Sequence, residues 1–232
     1  MLLSIAIPVL AERELFQAAV PRVLQAASEI TPDFELIISS DGPECVSVIE
    51  SFAASDARII HCHSDIRRGK GGAISDALAC AQGDIFCFFD VDLSTDLKHL
   101  KELVEHLQHD RCDIVIGTRI NADACVRRSM LRELVSRTYI SYVRHNLDVS
   151  VSDFQCGFKG FKTPVLRVLD AKTHERGWTW DTEILARALH DGYRIDEVPV
   201  IWKQGTQSNV RASDAFKMAR AVKRIKKSLK SE

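Results

Sequence analysis

The sequence lacks the features that mark membrane-spanning and nucleic-acid-binding proteins. No apolar run approaches the about 20 residues that a bilayer-crossing helix needs. The 31 basic and 32 acidic residues leave a formal net charge of −1, so no overall positive field favours nucleic acid. The first residues, MLLSIAIPVLAERE, lack the basic start of a secretory signal and predict a first strand. We therefore expect a cytoplasmic globular protein that does not bind nucleic acid.

The sequence also lacks paired cysteine motifs. Its seven cysteines are an odd number, and no two of them form a CxxC pair. This pattern argues against a disulfide framework and against a zinc site, and it favours a reducing compartment. We expect most of the cysteines to be small core residues. Cys156 lies in an unusual loop, but no motif places a histidine base near it, so thiol catalysis is disfavoured.

No linker rich in glycine, proline or serine divides the 232 residues, and no repeat or low-complexity segment does so either. A chain of this length can bury a substantial core within one domain. We predict one domain over residues 1–212, followed by a basic amphipathic C-terminal helix over residues 213–232.

Short apolar segments alternate with amphipathic ones in the first half of the chain. The predicted strands are Leu2–Pro8, Phe34–Ser40, Arg58–His63, Asp84–Asp90 and Cys112–Thr118. The predicted helices between them lie near residues 13–29, 44–54, 71–82 and 96–109. The second half predicts helices near 126–147, 178–192 and from about 213, with a strand over 194–202. The alternation indicates an α/β fold whose mostly parallel central sheet carries helices on both faces.

Chemistry-bearing side chains follow the strands at their C-terminal ends, where open α/β sheets bind ligands. These residues are Pro8, Glu12, Asp41, Gly42, Asp90, Asp92, Thr118 and Arg119. The most informative pair is Asp90 and Asp92, which directly follow the apolar IFCFF. Carboxylates beside a buried strand need compensation, and Mg²⁺ or Mn²⁺ with a diphosphate would supply it. We predict a metal site on an extended D-x-D, and we expect Ser94, Thr95 and Asp96 to cap the next helix.

Two further segments allow both a functional and a structural interpretation. Glycines around Lys70 in RRGKGG precede a predicted helix, which suits an anion-binding N-terminus or a plain basic turn. The spacing matches neither a Walker A loop nor GxGxxG. The tail carries one apolar stripe within many basic residues, which fits a membrane-surface helix or a helix packed on the domain.

Five ordered segments resemble the inverting family 2 glycosyltransferases of the GT-A fold. The likeness is greatest to the branch that makes dolichyl-phosphate mannose and dolichyl-phosphate glucose. The segments are IPVLAERE, SSDGP, RRGKGGAISDALACAQGDIFCFFDVD, DFQCGFKGFK with WTWDTEIL, and IDEVPVIWKQGTQSNV. They span most of the chain, and the resemblance therefore implies a GT-A fold.

The resemblance also implies roles for individual residues. Residues matching the family's nucleotide-sugar pocket are Pro8, Glu12, Asp41, Lys70, Gly71 and Asp90. The metal ligands would be Asp90 and Asp92, with Mg²⁺ or Mn²⁺ as cofactor. The candidate catalytic residues are Arg119, Asp153, Gln155 and Asp181, with Cys156, Trp180 and Glu183 in the same motifs. The chain departs from the family at three positions, Ala11, Ser40 and Ser94, which replace an Asn, an Asp and, in mannose synthases, a metal-binding Gln.

The implied reaction moves a hexose from a UDP- or GDP-sugar to an acceptor, with a polyprenyl phosphate as the first choice. Such a phosphate is largely dianionic at neutral pH, since its second pKa is about 6, so it needs cations and not a base. The candidate cations are Arg127, Arg128, Arg132 and Arg137. A glycan hydroxyl would instead need a general base, for which Asp153 is the first candidate and Asp181 the second. A non-catalytic sugar-nucleotide-binding protein is a further alternative. Membrane contact would come through residues 213–232.

Overall fold

The computed structural model describes residues 1–120, 124–127, 130–203 and 212–231. Strands β1–β9 are Leu3–Val9, Phe34–Asp41, Ile59–Ser64, Ile85–Phe89, Ile114–Thr118, Cys125–Arg127, Phe158–Lys162, Ile195–Pro199 and Ile201–Lys203. Helices α1–α8 are Arg13–Ser28, Val46–Ser55, Gly69–Cys80, His99–Gln108, Met130–Leu147, Thr163–Lys172, Trp180–His190 and Ala212–Leu229. The five strands predicted for the first half correspond to β1–β5.

The central sheet has seven strands in the order β3-β2-β1-β4-β7-β5-β8. Strand β7 runs antiparallel to both of its neighbours, β4 and β5, and the other pairs are parallel. The predicted mostly parallel sheet is therefore confirmed. A second, two-stranded sheet joins β6 and β9 in parallel.

The apolar strands are buried on both faces because helices cover both sides of the sheet. In β4, Ile85, Cys87 and Phe89 point into one core cluster, while Phe86 and Phe88 point into the other. This alternation follows from the two-residue period of a strand. The first cluster contains residues of α1, α2 and α4, and the second contains residues of α3, α6, α7 and α8.

The strand predicted over residues 194–202 is two strands that belong to different sheets. Strand β8 pairs with β5 as far as Pro199, and β9 then pairs with β6. Val200 lies between them, almost fully buried, and its backbone N–H donates to the carbonyl of Thr118 at 3.1 Å. Because proline cannot donate a ladder hydrogen bond, a strand end at Pro199 is natural. Trp202 therefore lies in the second sheet, where it pairs with Val126.

Two cysteines contradict the prediction that disulfide bonds are absent. Cys62 on β3 and Cys80 at the end of α3 form a disulfide. The other five are free, and four of them are buried, as expected for core residues. The sequence does not predict this disulfide, because the 18-residue separation of the two cysteines does not show that β3 and α3 lie side by side.

The C-terminal helix α8 packs on the domain through its apolar stripe. Val222 is fully buried in the second core cluster, and Ile225 is 1% exposed. The tyrosine hydroxyl of Tyr142 on α5 donates to the carbonyl of Ala219 at 3.3 Å. Of the two interpretations of the stripe, the structure supports packing on the domain. Across the described ranges, no helix combines the length and apolarity needed to cross a bilayer.

Candidate active site

The C-terminal ends of β1, β2, β4 and β5 meet at one edge of the sheet, as parallel strands require. This edge gathers Asp41, Asp90 and Arg119 from three different strand ends. The antiparallel strand β7 starts where its neighbours end, so it brings the preceding loop, residues 153–157, to the same edge. The backbone N–H of Asp90 donates to the carbonyl of Gly157 at 3.1 Å. Five separate segments of the sequence therefore converge on one site.

Asp90 forms an ion pair with Lys70. The ammonium group of Lys70 lies 2.7 Å from Asp90 Oδ1 and 3.8 Å from Asp181 Oδ2. The Lys70 side chain is largely buried, whereas that of Asp90 is 43% exposed. Burial opposes the charge, but the carboxylates of Asp90 and Asp181 outweigh it and raise the pKa of Lys70. Lys70 is therefore a permanent positive charge beside an accessible carboxylate.

The N-terminus of α3 binds a carboxylate of the protein itself. The backbone N–H groups of Arg68 and Gly69 donate to Asp41 Oδ2 at 2.9 and 2.8 Å. Gly71 is buried, and a Cβ added to it would overlap Trp180. The absence of a side chain at Gly71 thus lets α3 pack closely against α7. Of the glycine-rich segment, it is the Lys70 side chain that reaches the Asp90 carboxylate.

Among the described residues, Ser94 holds the Asp92 carboxylate. The backbone N–H of Ser94 donates to Asp92 Oδ1 at 3.0 Å, and its hydroxyl donates to Oδ2 at 2.6 Å. The D-x-D is not extended, contrary to prediction. Strand β4 ends at Phe89, and a turn closes with a hydrogen bond from Leu93 N–H to the Asp90 carbonyl at 3.0 Å. Leu93 adopts a φ of 46° in this turn.

Ser94, Thr95 and Asp96 do not cap the helix in the predicted way. Helix α4 begins only at His99 and has no side-chain cap. Ser94 orients Asp92 instead, and Thr95 forms an isolated bridge with Trp202 of β9. Asp96 accepts a hydrogen bond from the backbone N–H of Lys98 at 3.1 Å, within the turn before the helix.

The carboxylates of Asp90 and Asp92 fit a divalent cation that is completed by its substrate. Both offer the hard oxygen donors that Mg²⁺ and Mn²⁺ prefer, and both side chains are partly exposed at the sheet edge. In the part of the chain that the structure describes, no group of three His, Cys, Asp or Glu side chains could enclose an ion. Two carboxylates with phosphate oxygens and water are a common Mg²⁺ environment, so the donor set agrees with the predicted metal.

Asp153 is completely buried and holds Arg119. The Arg119 Nε and NH2 groups donate to its two oxygens at 2.7 and 2.9 Å. The backbone N–H groups of Arg119 and Gln155 add bonds of 3.2 and 3.1 Å. Burial alone would raise the pKa of Asp153, but the Arg119 guanidinium reverses this and lowers it. Each Asp153 oxygen thus accepts two hydrogen bonds, and the carboxylate is poorly placed to take a proton from a substrate.

Arg119 is fixed between Asp153 and an aromatic ring. Its guanidinium carbon lies 5.3 Å from the centroid of the Trp202 ring. Burial opposes its charge, but Asp153 raises the pKa of Arg119 further. Trp202 was not among the predicted site residues. Its position could have been predicted only by knowing that strand β8 ends at Pro199 and that the next residues join the second sheet.

Asp181 is paired with a buried lysine. Lys159 on β7 donates to Asp181 Oδ1 at 2.6 Å and also to the carbonyl of Cys156. Both charged side chains are at most 2% exposed. Lys159 was not predicted as a site residue, although it stands in the CGFK motif. Burial raises the pKa of the Cys156 thiol to about 11, which agrees with the argument against thiol catalysis.

Gln155 ties the loop before α7 to the site. Its amide nitrogen donates to the carbonyl of Trp178 and to the hydroxyl of Thr182, each at 3.1 Å. Within α7, Trp180 is fully buried, and its indole N–H donates to Asp170 at 2.9 Å. Glu183 is buried as well, and it binds Arg187 and the backbone N–H groups of residues 174 and 175. The geometry therefore gives Trp180 and Glu183 structural contacts.

The other end of the site carries Pro8, Glu12 and Asp41. Pro8 lies in the ladder between β1 and β2. Glu12 accepts hydrogen bonds from the backbone N–H groups of Leu10 and Ala11, each at 3.0 Å. Asp41 is 4% exposed, and among the described residues no group donates to its Oδ1 atom. This buried acceptor atom is therefore available for a hydrogen bond from a ligand or an ordered water.

Two histidines contact Ser40, the residue beside Asp41. Ser40 stands where the family has its first aspartate, and its hydroxyl lies 2.9 Å from both His61 Nε2 and His63 Nδ1. Burial, helped by the neighbouring His63, lowers the pKa of His61. Sequence reasoning missed these histidines because it assigned β3 as a strand without following its register against β2.

Most of the predicted acceptor-binding arginines lie, wholly or with their side chains, outside the described residues. Arg128 lies outside the described residues, as do the side chains of Arg127 and Arg132. Arg137 pairs with Glu133 on the surface of α5, at 2.5 Å. The segment from 204 to 210, which carries the last part of the fifth motif, lies outside the described ranges as well.

The chain is similar to several known glycosyltransferases. It is 37% identical over 204 residues to the glycosyltransferase AglD of Haloferax volcanii, covering 86% of this chain and 33% of that protein. It is 30% identical over 220 residues to the dolichyl-phosphate beta-glucosyltransferase of Drosophila melanogaster, covering 87% and 67%. The Dictyostelium discoideum enzyme of that name is 28% identical over 206 residues, covering 83% and 62%. The chain thus spans between a third and two thirds of the length of these relatives.

The solved structure of glucosyl-3-phosphoglycerate synthase from Mycobacterium tuberculosis has the same fold. It superposes with a TM-score of 0.69 at 22% identity, covering 98% of this chain and 80% of that one. Other crystals of that synthase contain Mn²⁺ with UDP-glucose and phosphoglyceric acid, or Mg²⁺ with UDP. The predicted GT-A fold is confirmed by this similarity.

The family model described as glycosyl transferase family 2 matches residues 4–169. This range contains β2–β7 and all of β1 except Leu3, and with them Asp41, Lys70, Asp90, Asp92, Arg119 and Asp153. The chain belongs to glycosyl transferase family 2.

Proposed function

We propose that the protein is a metal-dependent inverting glycosyltransferase that moves glucose from UDP-glucose to a polyprenyl (dolichyl) phosphate. Relatives named dolichyl-phosphate beta-glucosyltransferase support this sugar and this acceptor. Crystals of the structurally similar synthase with UDP-glucose support the donor, so UDP is preferred to GDP. The buried Asp41 Oδ1, which lacks a donor among the described residues, is a suitable acceptor for an N–H of the base or a ribose hydroxyl.

One observation carries the choice of acceptor: both candidate general bases are already engaged. Asp153 accepts two bonds from the Arg119 side chain, and Asp181 accepts one from Lys159. A sugar hydroxyl must lose a proton to react, whereas a phosphate dianion attacks without losing one. The geometry therefore favours a phosphate acceptor over a glycan.

In the proposed reaction, an acceptor phosphate oxygen forms a bond to the anomeric carbon as the bond from that carbon to the diphosphate breaks. The electron pair leaves with the nucleoside diphosphate, no proton is transferred, and the configuration inverts. Asp90 and Asp92 would hold the cation, whose chemistry when bound is to stabilise negative charge on the diphosphate. Lys70 and Arg119 are fixed cations at the same edge and add to this stabilisation.

A donor panel followed by a transfer assay tests the function. We expect UDP-glucose to raise the melting temperature more than GDP-mannose, and only when Mn²⁺ or Mg²⁺ is present, since ligand binding stabilises the folded state. With citronellyl phosphate added, a glucosyl phosphodiester and UDP should form. Transfer to free sugars but not to the phosphate would contradict the proposal, and donor binding without any transfer would indicate a binding protein.

Gly157 allows a separate test of the Asp90 position. A Cβ at residue 157 would overlap the Asp90 carboxylate, so Gly157→Ala should push that group away from Lys70. Because small displacements of catalytic groups can cost about 100-fold in rate, we expect a loss of that order. Thermal unfolding distinguishes this effect from misfolding, because a loss of transfer at an unchanged melting temperature reports on the site alone. Unchanged transfer by the Gly157→Ala protein would contradict the role of Asp90.

The membrane contact and the cytoplasmic location also belong to this proposal. The buried residues of the α8 stripe are unavailable to lipid, but Phe216 on the same helix is 63% exposed and lies among basic residues. Leu134 and Val135 of α5, the helix that packs against α8, are 63% and 57% exposed. Apolar side chains with basic neighbours suit the surface of an anionic bilayer, and vesicle flotation checks this.

A further inference from the structure

The two carboxylates of the D-x-D have different partners in the structure. Asp90 pairs with a cation, since the Lys70 ammonium group lies 2.7 Å from its Oδ1 atom. Asp92 instead accepts hydrogen bonds from the backbone N–H and the hydroxyl of Ser94. A divalent cation bound by both aspartates needs carboxylate oxygens that are free to coordinate it. Lys70 therefore engages an oxygen of one of the two proposed metal ligands.

The Asp90 carboxylate is confined on its other side as well. Its Oδ2 atom faces Gly157, where an added Cβ would overlap the carboxylate. The backbone N–H of Asp90 also donates to the Gly157 carbonyl at 3.1 Å, which fixes the two segments against each other. Asp90 thus lies between Lys70 and the backbone of residue 157, and 43% of its side chain remains exposed. A metal ion that binds Asp90 must therefore share it with Lys70.

Lys70 has little freedom to move away from this position. Its side chain is 10% exposed, and its ammonium group lies 5.6 Å from the ring centroid of Phe88 and 5.9 Å from that of Trp178. The next carboxylate, Asp181, has its Oδ2 atom 3.8 Å away and accepts a bond from Lys159 through Oδ1 at 2.6 Å. A metal ion at the D-x-D would therefore meet a like charge at close range, which disfavours its binding.

A diphosphate removes this conflict, because it brings negative charge to both cations at once. A lysine ammonium group has three N–H donors, and Lys70 uses one of them at Asp90. Its distance to Asp181 is longer than a hydrogen bond, so these two carboxylates do not exhaust its donors. Phosphate oxygens are also the ligands that complete a Mg²⁺ site built on two carboxylates. The metal and the diphosphate are therefore expected to favour each other's binding.

We propose that Lys70 is an internal counter-cation of the D-x-D that makes metal binding depend on the donor diphosphate. Without the nucleotide, Lys70 holds Asp90 and competes with Mg²⁺ or Mn²⁺. With the nucleotide bound, the diphosphate balances the charge of Lys70, and Asp90 becomes available to the metal. The inference rests on the transferase function proposed above and adds a coupling between two ligands of its site. By linkage, the diphosphate must bind more tightly with the metal by the same factor.

Metal titrations without nucleotide test this role. Lys70→Met removes the charge, and a methionine side chain suits the space beside two aromatic rings. We expect Mn²⁺ alone to bind this variant at least about 10-fold more tightly than the wild type, because a charged hydrogen bond no longer holds Asp90. Calorimetry measures the Kd, and the melting temperature without ligands shows whether the variant is folded. If it is not, Lys70→Gln removes the same charge with a shorter side chain.

A lysine outside the site provides the matched control. Lys101 is 68% exposed on α4 and pairs with Glu105 at 3.9 Å, so Lys101→Met also removes one lysine from an ion pair. Exposed charges at a distance are screened by salt. We therefore expect the Mn²⁺ affinity of the Lys101→Met protein to stay within about 2-fold of that of the wild type.

Titrations that include UDP measure the coupling itself. UDP should tighten the binding of Mn²⁺ to the wild type, and this enhancement should fall by about 10-fold in Lys70→Met, because the competing cation is already gone. Without metal, in EDTA, UDP should bind Lys70→Met more weakly than the wild type, because a charged contact with the diphosphate is lost. A purely structural role of Lys70 would not change the two affinities in opposite directions.

Each of the other outcomes is decisive. Unchanged or weaker binding of Mn²⁺ alone to the charge-removed variant would overturn the inference, as would an equal gain in Lys101→Met; transfer by the wild type would then leave the proposed function intact. The expected gain in metal affinity, without any transfer by the wild type, would keep the role of Lys70 and refute the proposed function. Failure of Mn²⁺ to bind any of the proteins, with UDP or without it, would refute the inference, and wild-type transfer in EDTA would show whether the function survives.

Discussion

Replacing Asp92 by alanine is expected to abolish glucose transfer, with a loss of at least about 10²- to 10³-fold in kcat. Asp92 is one of two partly exposed carboxylates at the sheet edge, and Ser94 is the group that holds it. Removing it leaves Asp90, which is shared with Lys70, as the one carboxylate of the D-x-D. The cation would then be bound too weakly to stabilise the leaving diphosphate.

The stability of the Asp92→Ala protein should change little, which separates this effect from unfolding. The hydrogen bonds that end on Asp92 come from a neighbour two residues away in a partly exposed turn. Asp96→Asn is the matched control. Asp96 is an exposed carboxylate in the same loop, four residues after Asp92, and it likewise accepts a hydrogen bond from a nearby backbone N–H, that of Lys98. Calorimetric titration of Mn²⁺ in the presence of UDP measures the binding. Full activity after Asp92→Ala, or an equal loss after Asp96→Asn, would refute the metal assignment.

The sequence was sufficient to predict the parts of the fold that repeat a local pattern. The apolar segments of β1–β5 and the amphipathic segments between them carry their own period, and parallel pairing follows from that alternation. Strand β7 could not be placed in this way. FKGFK is short, and only the packed sheet shows that it runs antiparallel between β4 and β5.

The residues that lie at the site were easier to predict than the contacts between their side chains. The strand-end rule located Asp41, Asp90, Asp92 and Arg119, because ligands of open α/β sheets bind at that edge. Which side chains pair with each other depends on tertiary distances, and the pairs Lys70–Asp90 and Lys159–Asp181 join residues 20 and 22 positions apart. The roles changed accordingly: Asp153, predicted as the first candidate base, is the partner that fixes Arg119.

The Arg119–Asp153 pair gives the second large effect. Asp153→Asn should destabilise the fold by about 3–5 kcal/mol, because the largely buried Arg119 guanidinium loses its counter-charge. Arg119→Gln should destabilise it similarly, by leaving the completely buried Asp153 carboxylate unpaired. The double variant, with neither charge, is expected to recover much of that stability, since two neutral amides can bond to each other. Urea unfolding of the four proteins measures this coupling.

Transfer should remain low in the double variant even though its fold is recovered. This result would show that transfer needs the positive charge of Arg119 beside the diphosphate, and that Asp153 acts by positioning Arg119.

If Asp153 were instead a general base, the pH dependence of transfer would differ. Activity would rise with pH through the pKa of Asp153, and this rise, the acidic limb of the profile, would vanish in Asp153→Asn. Since Arg119 lowers the pKa of Asp153, the acidic limb of the wild type would lie below the usual aspartate range. We expect pH–rate profiles of the wild type and of Asp153→Asn to have the same shape down to about pH 3, a range that includes the usual aspartate pKa. A limb that is present in Arg119→Gln and absent in Asp153→Asn would establish Asp153 as a base and a hydroxyl as the acceptor.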